Sequence, residues 1–149
     1  MCIRDRNRIT ASPGDLANYV DLGHQYMLDK RFDDAVHILE KAILRAFGSG
    51  DADSGSERLW SEVDRIISMQ YEYGTKEDLA VARAKVCEML ERVLKKYPAG
   101  CAPFYRNYVT VLAELGQTDR ARTTLEVALR RFPDDRALRQ MEKYIYRRR

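Results

Sequence analysis

One short pattern of apolar residues occurs three times along the chain. Tyr19-x2-Leu22-Gly23-x2-Tyr26 is followed by Ala35-x3-Leu39-x2-Ala42-x4-Phe47, and the second half returns as Val86, Leu90, Val93 and Pro98, then as Ala121, Leu125, Ala128 and Pro133. Ala35 stands 51 residues before Val86, and Val86 stands 35 before Ala121. The shorter interval is one unit of about 34 residues, and the longer is one unit plus an insertion. Steps of three and four residues inside each block place the apolar side chains on one face of a helix. Such a helix pair cannot bury its face alone and has to lean on the next pair, leaving a grooved surface. The class this predicts is all-α: an α-solenoid of about three helix pairs plus a C-terminal capping helix.

The pattern resembles the tetratricopeptide repeat family, whose signature runs aromatic, Leu-Gly, Tyr in the first helix and Ala, aromatic or Leu, Ala, Pro in and after the second. In the first block Tyr19, Leu22, Gly23, Tyr26, Phe32, Ala35, Leu39 and Ala42 fall in register. In the third, Tyr105, Tyr108, Leu112, Gly116, Ala121, Leu125, Ala128 and Pro133 do so, with Val109 replacing the small residue that follows the family's Leu. The second block is degenerate. The resemblance covers residues 14 to 135, in repeats at about 14–47, 57–98 and 102–133. It implies a fold more than a function, because the motif records packing.

The two ends read differently from the middle. Met1-Cys2-Ile3-Arg4-Asp5-Arg6 looks like a translated sequencing adapter, so 1–13 is set aside as an artefactual and disordered segment. A targeting signal or further domain could then have preceded Asn7. Residues 134–149 are expected to form the capping helix and a basic tail. From Asp119 onward ten Lys or Arg residues face five acidic ones, a net +5, against +3 for the whole chain.

Composition fits a small helical domain: 149 residues, 45% hydrophobic and 33% charged, the balance of amphipathic helices rather than of a disordered or membrane chain. No stretch approaches the roughly 18 uncharged apolar residues of a membrane span. Cys2 belongs with the adapter. Cys87 and Cys101 are solitary and read as small buried apolar groups, with a reducing, cytoplasmic setting the milder inference.

Along the chain, Ser12-Pro13-Gly14-Asp15 reads as a turn with Asp15 as N-cap, and helices are expected to about Asp29, from Phe32 to Phe47, Glu57 to Tyr73, Glu77 to Tyr97, from near Pro103, Asp119 to Phe132, and Asp134 to about Tyr146. Gly23 costs a helix roughly 0.5–1 kcal/mol relative to alanine, so a close approach of the second helix, at Ala35, is expected there. Residues 48–56, rich in Gly, Ser and Asp, have nothing to bury and read as a flexible linker. A calcium loop is not expected there, because the bidentate glutamate is missing at the needed spacing.

Catalytic patterns are absent from the sequence. His24 and His37 lack neighbouring ligands for zinc, and no phosphate loop, nucleophile elbow or His-Glu-x-x-His occurs. Asp33-Asp34 and Asp134-Asp135 read as helix-start charges. The expectation is therefore a noncatalytic scaffold without cofactor or metal, binding a protein or peptide.

The family resemblance implies that the first helix of each pair lines a concave groove. Rotating one step from the packed stripe points to Val20, His24 and Met27, to Asp64, Ser68 and Tyr71, and to Arg106, Asn107, Thr110 and Ala113. Family members that clamp a chaperone's C-terminal carboxylate place lysine and asparagine where this chain has Val20 and His24, which cannot donate in the same way, so chaperone-tail binding is not expected. Two other readings remain open: a docking domain of a longer enzyme, and nucleic-acid binding through the basic C-terminal helix with its interleaved tyrosines.

Overall fold

The computed structural model describes residues 16–53, 56–68 and 75–147. Those residues form helices and no strand: α1 Leu16–Leu28, α2 Phe32–Ser49, α3 Glu57–Ile67, α4 Lys76–Lys96, α5 Ala102–Glu114, α6 Thr118–Arg131 and α7 Arg136–Arg147. The adapter-like segment, the Asp15 turn and Tyr71 lie outside the described residues.

Each helix forms where its apolar spacing and its ends agree. In α2, Ala35, Ile38, Leu39, Ala42, Ile43 and Ala46 are all buried, on the face that three- and four-residue steps define. The start of α4 is fixed by a capping box: Asp78 N donates to Thr75 Oγ1 at 3.0 Å and Thr75 N donates to Asp78 Oδ2 at 3.2 Å. That backbone hydrogen bond, helped by Lys30, holds the Asp78 carboxyl below its ordinary range. α5 begins with a proline in its first turn, where a missing N–H costs nothing. α7 is capped by the preceding Asp135, whose Oδ1 accepts from Leu138 N at 3.0 Å. Asp33 and Asp34 lie in the first turn of α2, as expected, and also pair with Lys85 and Arg31.

The helices stack as antiparallel pairs, α1 with α2, α3 with α4 and α5 with α6. The odd-numbered helices also pack in series, α1 on α3, α3 on α5 and α5 on α7, while α2 lies against α4. Two layers result, and α7 closes the end with Leu138 and Ile145 fully buried. This is the helical-repeat solenoid with a cap that the periodicity predicts. Phe104 is fully buried at the junction of the second and third pairs, edge-on to Trp60, Phe47 and Tyr105 at 5.4–6.2 Å.

Gly23 is indeed a point of close approach, but to different neighbours from the one expected. A Cβ there would lie 3.1 Å from Leu39 Cδ2 and 3.3 Å from Ile38 Cγ2. Ala35 sits one turn earlier, and the longer Leu39 reaches the gap first.

Two further expectations are revised. α3 ends at Ile67, short of the expected Tyr73, which with residues 69–74 lies outside the described residues. Ser68 Oγ donates to Asp64 O at 2.7 Å, and Arg83 Nε, from α4, donates to Ile67 O at 2.8 Å, so both the side-chain competition and the satisfied carbonyl favour a stop. The 48–56 segment does bury something: Ala52 is 5% exposed and Ser56 3%. Trp60 Nε1 donates to Ala52 O at 2.7 Å and Ser56 Oγ to Asp51 O at 2.6 Å. A tryptophan N–H sealed in the core needs an acceptor, and the loop backbone supplies it. The length of α4 is as expected: ten of its residues precede Val86, whereas three of α6 precede Ala121, so about two turns of helix belong to the insertion.

Candidate functional site

Because the odd helices pack side by side, their free faces form one surface. Between α1 and α3 a hollow is lined by Val20, Asp21, His24, Arg58, Ser61, Glu62 and Arg65. Between α3 and α5 a larger one, about 660 Å³, includes Ser61, Asp64, Arg65, Arg106, Asn107 and Thr110. A third, between α5 and α7, takes in Thr110, Ala113, Ala137, Met141 and Tyr144. Ser61 and Arg65 belong to the first two hollows and Thr110 to the last two. The three therefore join into a single trough.

Its floor is charged and largely self-compensated. Glu62, 4% exposed, lies 3.3 Å from His24 Nδ1 and 3.5 Å from Arg65 Nη1. Arg58 reaches Asp21 at 2.9 Å and Arg106 reaches Asp135 at 3.4 Å. A carboxylate so little exposed is tolerable only with partners of this kind. Partial burial raises the Asp64 carboxyl above its usual range. The Arg106 Nε is buried and makes no hydrogen bond among the described residues.

Of the residues that the helical rotation points to, the structure gathers His24, Asp64, Arg106 and Thr110 on the trough. Thr110 Oγ1 turns back to donate to Arg106 O at 2.7 Å. Ser68 is exposed just beyond the end of α3, its hydroxyl engaged by Asp64 O. Val20 and Met27 are corrections: at 4% and 5% exposed they are core residues, Val20 offering only an edge to the hollow. Asn107, 5% exposed, donates inward to Pro103 O at 3.1 Å and Trp60 O at 3.5 Å. One rotation step does not clear the packed stripe, because α1 is covered by both α2 and α3, and α5 by α3, α4, α6 and α7.

The residues that the rotation misses are Arg58, Ser61, Glu62 and Arg65, together with the α7 wall. Glu62 had a readable signal: it stands three residues after Leu59 and four before Ile66, a charge on the apolar face itself.

No group of three or more His, Cys, Asp and Glu able to hold a metal occurs among the described residues. Burial pushes the Cys87 thiol up to about 12, with Glu91 adding to the shift, and the Cys101 thiol up to about 11. Both thiols therefore stay protonated near neutral pH, and they are buried and free as expected.

The helical stack has a counterpart among known families. Residues 102–143, spanning α5, α6 and the first eight residues of α7, match the model of the tetratricopeptide repeat. That stretch is similar to a tetratricopeptide repeat. No curated protein and no solved structure matches it. Tetratricopeptide repeats are protein-interaction modules and generally non-catalytic, so protein partners are the general expectation for this chain. No helix among the described residues is long and apolar enough to cross a membrane.

Proposed function

We propose that the chain is a noncatalytic scaffold that holds an extended peptide or a partner helix in the trough along α1, α3, α5 and α7. The observation that carries this reading is the continuity of the three hollows through Ser61, Arg65 and Thr110. A continuous concave strip across four helices suits a chain-like ligand, whereas a small molecule favours an enclosed pocket. His24, Ser61, Asp64, Arg65, Arg106 and Thr110 are the groups that would meet it, with Ser68 just beyond the end of α3. Val20 and Asn107 would contribute as supports behind that surface.

A photo-crosslinking amino acid placed at Ser61 or Asp64, both exposed on α3, should capture a partner segment. The same group at Glu88 or Thr123, exposed on the even-numbered layer, should not. Capture from Glu88 and Thr123 with none from the trough positions would move the interface to the other layer and end this reading.

A further inference from the structure

We infer that the segment held at the α5–α7 end of the trough is an acidic peptide with one large apolar residue, an inference that rests on the trough reading above. The hollow there, about 300 Å³, is walled by Ala113, Ala137, Met141 and Tyr144 with the Thr110 side chain at its edge. Tyr144 is 51% exposed. A thioether, small methyl groups and an accessible ring around a concavity make a seat for an aliphatic or aromatic side chain, the usual anchor of a peptide interface.

Beside this seat runs a stripe of positive charge. Arg136, Arg139 and Lys143 follow one another at steps of three and four residues, which sets them on one face of α7, opposite the buried Leu138 and Ile145. Gln140 stands between the stripe and the hollow. Of the nearby acids, Asp135 is engaged with Arg106 and the start of α7 and Glu114 with Arg83 at 3.4 Å, while Asp134 meets the stripe itself at Arg139, 3.8 Å away. Arg136 and Lys143 are exposed and form no ion pair among the described residues.

From Arg136 to Lys143 the helix rises about 10 Å, the reach of roughly three residues of extended chain. Carboxylates spaced along such a segment would lie on the stripe while its apolar side chain enters the hollow. The apolar seat favours a peptide over a nucleic acid, whose phosphates would use the stripe and leave the hollow empty. The apolar face of α7 is turned inward onto its neighbours, which removes the surface a membrane would need.

Selection of random displayed peptides on the 149-residue chain tests this directly. Enriched sequences should carry two or more Asp or Glu beside one Leu, Phe or Trp. A fluorescein-labelled example should bind about tenfold more weakly to an Arg136→Glu, Lys143→Glu variant and to Tyr144→Ala, with unchanged melting curves. Its affinity should also fall as salt rises from about 50 to about 300 mM. Neutral or basic winners that are lost in Asp64→Ala or Arg106→Ala but bind the α7 variants normally would overturn this inference and leave the trough standing. Absence of any winner would count against both readings. A single-stranded RNA that binds at the same salt and displaces the peptide would give the stripe to nucleic acid and end the inference.

Discussion

The first and third hairpins close with the same turn, and the second does not. Between α1 and α2, Lys30 N donates to Met27 O and Arg31 N to Tyr26 O; between α5 and α6, Gly116 N donates to Ala113 O and Gln117 N to Leu112 O. The middle residue is left-handed in both, with φ of 57° at Lys30 and 79° at Gly116. Glycine takes this conformation without a steric penalty, and lysine does not. Lys30 has a compensating contact, its Nζ lying 3.2 Å from Asp78 in the capping box of α4. The same turn is thus held by backbone freedom in one hairpin and by a link to the next pair in the other.

The second hairpin replaces this turn with an eight-residue connection, 68–75, and a longer α4. Arg83, just past the added turns, is 16% exposed and joins the end of α3 through Ile67 O to Glu114 at the end of α5. α4 therefore ties two helix ends together through one side chain.

The largest effect should come from overpacking the first hairpin. Gly23→Leu has no room beside Leu39 and should cost about 2–3 kcal/mol, seen as a fall in Tm of about 5–10 °C; an unchanged melt would mean that α1 and α2 do not meet there. Arg83→Ala should cost about 1–2 kcal/mol, and a cost near zero in urea unfolding would deny this side chain its tying role. Gly116→Ala should lose about 1 kcal/mol through its backbone alone, since nothing lies within 4 Å of the added carbon. Lys30→Gly should change stability by less than about 0.5 kcal/mol, as backbone relief is offset by the lost pair with Asp78 and by a freer unfolded chain. Equal losses at the two positions would break the comparison.

The Asp78 cap carries a pH signature. Its carboxyl is held below the ordinary 3.8 in the folded chain, so its stabilising contribution is complete above that value and fades as pH falls through the lower, folded-state value. Wild type and Asp78→Asn should accordingly differ at pH 6 and converge near pH 2 in thermal melts. A difference that grows in acid would reverse the assignment.

Helix existence was legible because Leu39, Ala42, Leu125 and Ala128 keep a period that only a helix satisfies. Helix ends were less so. α3 ends early because of Ser68 and of Arg83, fifteen residues further on, and a contact of that range leaves no local trace. The candidate site was legible where a residue lay on the free face, as with His24, Asp64 and Arg106. It was misread at Val20, Met27 and Asn107, where a helix is covered from more than one side.

The sequence alone determined the class of the fold and its unit, since amphipathic helices at a repeating interval have no other way to remove their apolar faces from water. It also marked Gly23 as a point where a second helix comes close. Tertiary structure decided which charges meet. The burial of Glu62 between His24 and Arg65, the docking of Ala52 against Trp60, and the pairing of Lys30 with Asp78 all depend on how neighbouring pairs lean on one another. Packing in three dimensions sets those distances, and a one-dimensional period records only the face each residue occupies.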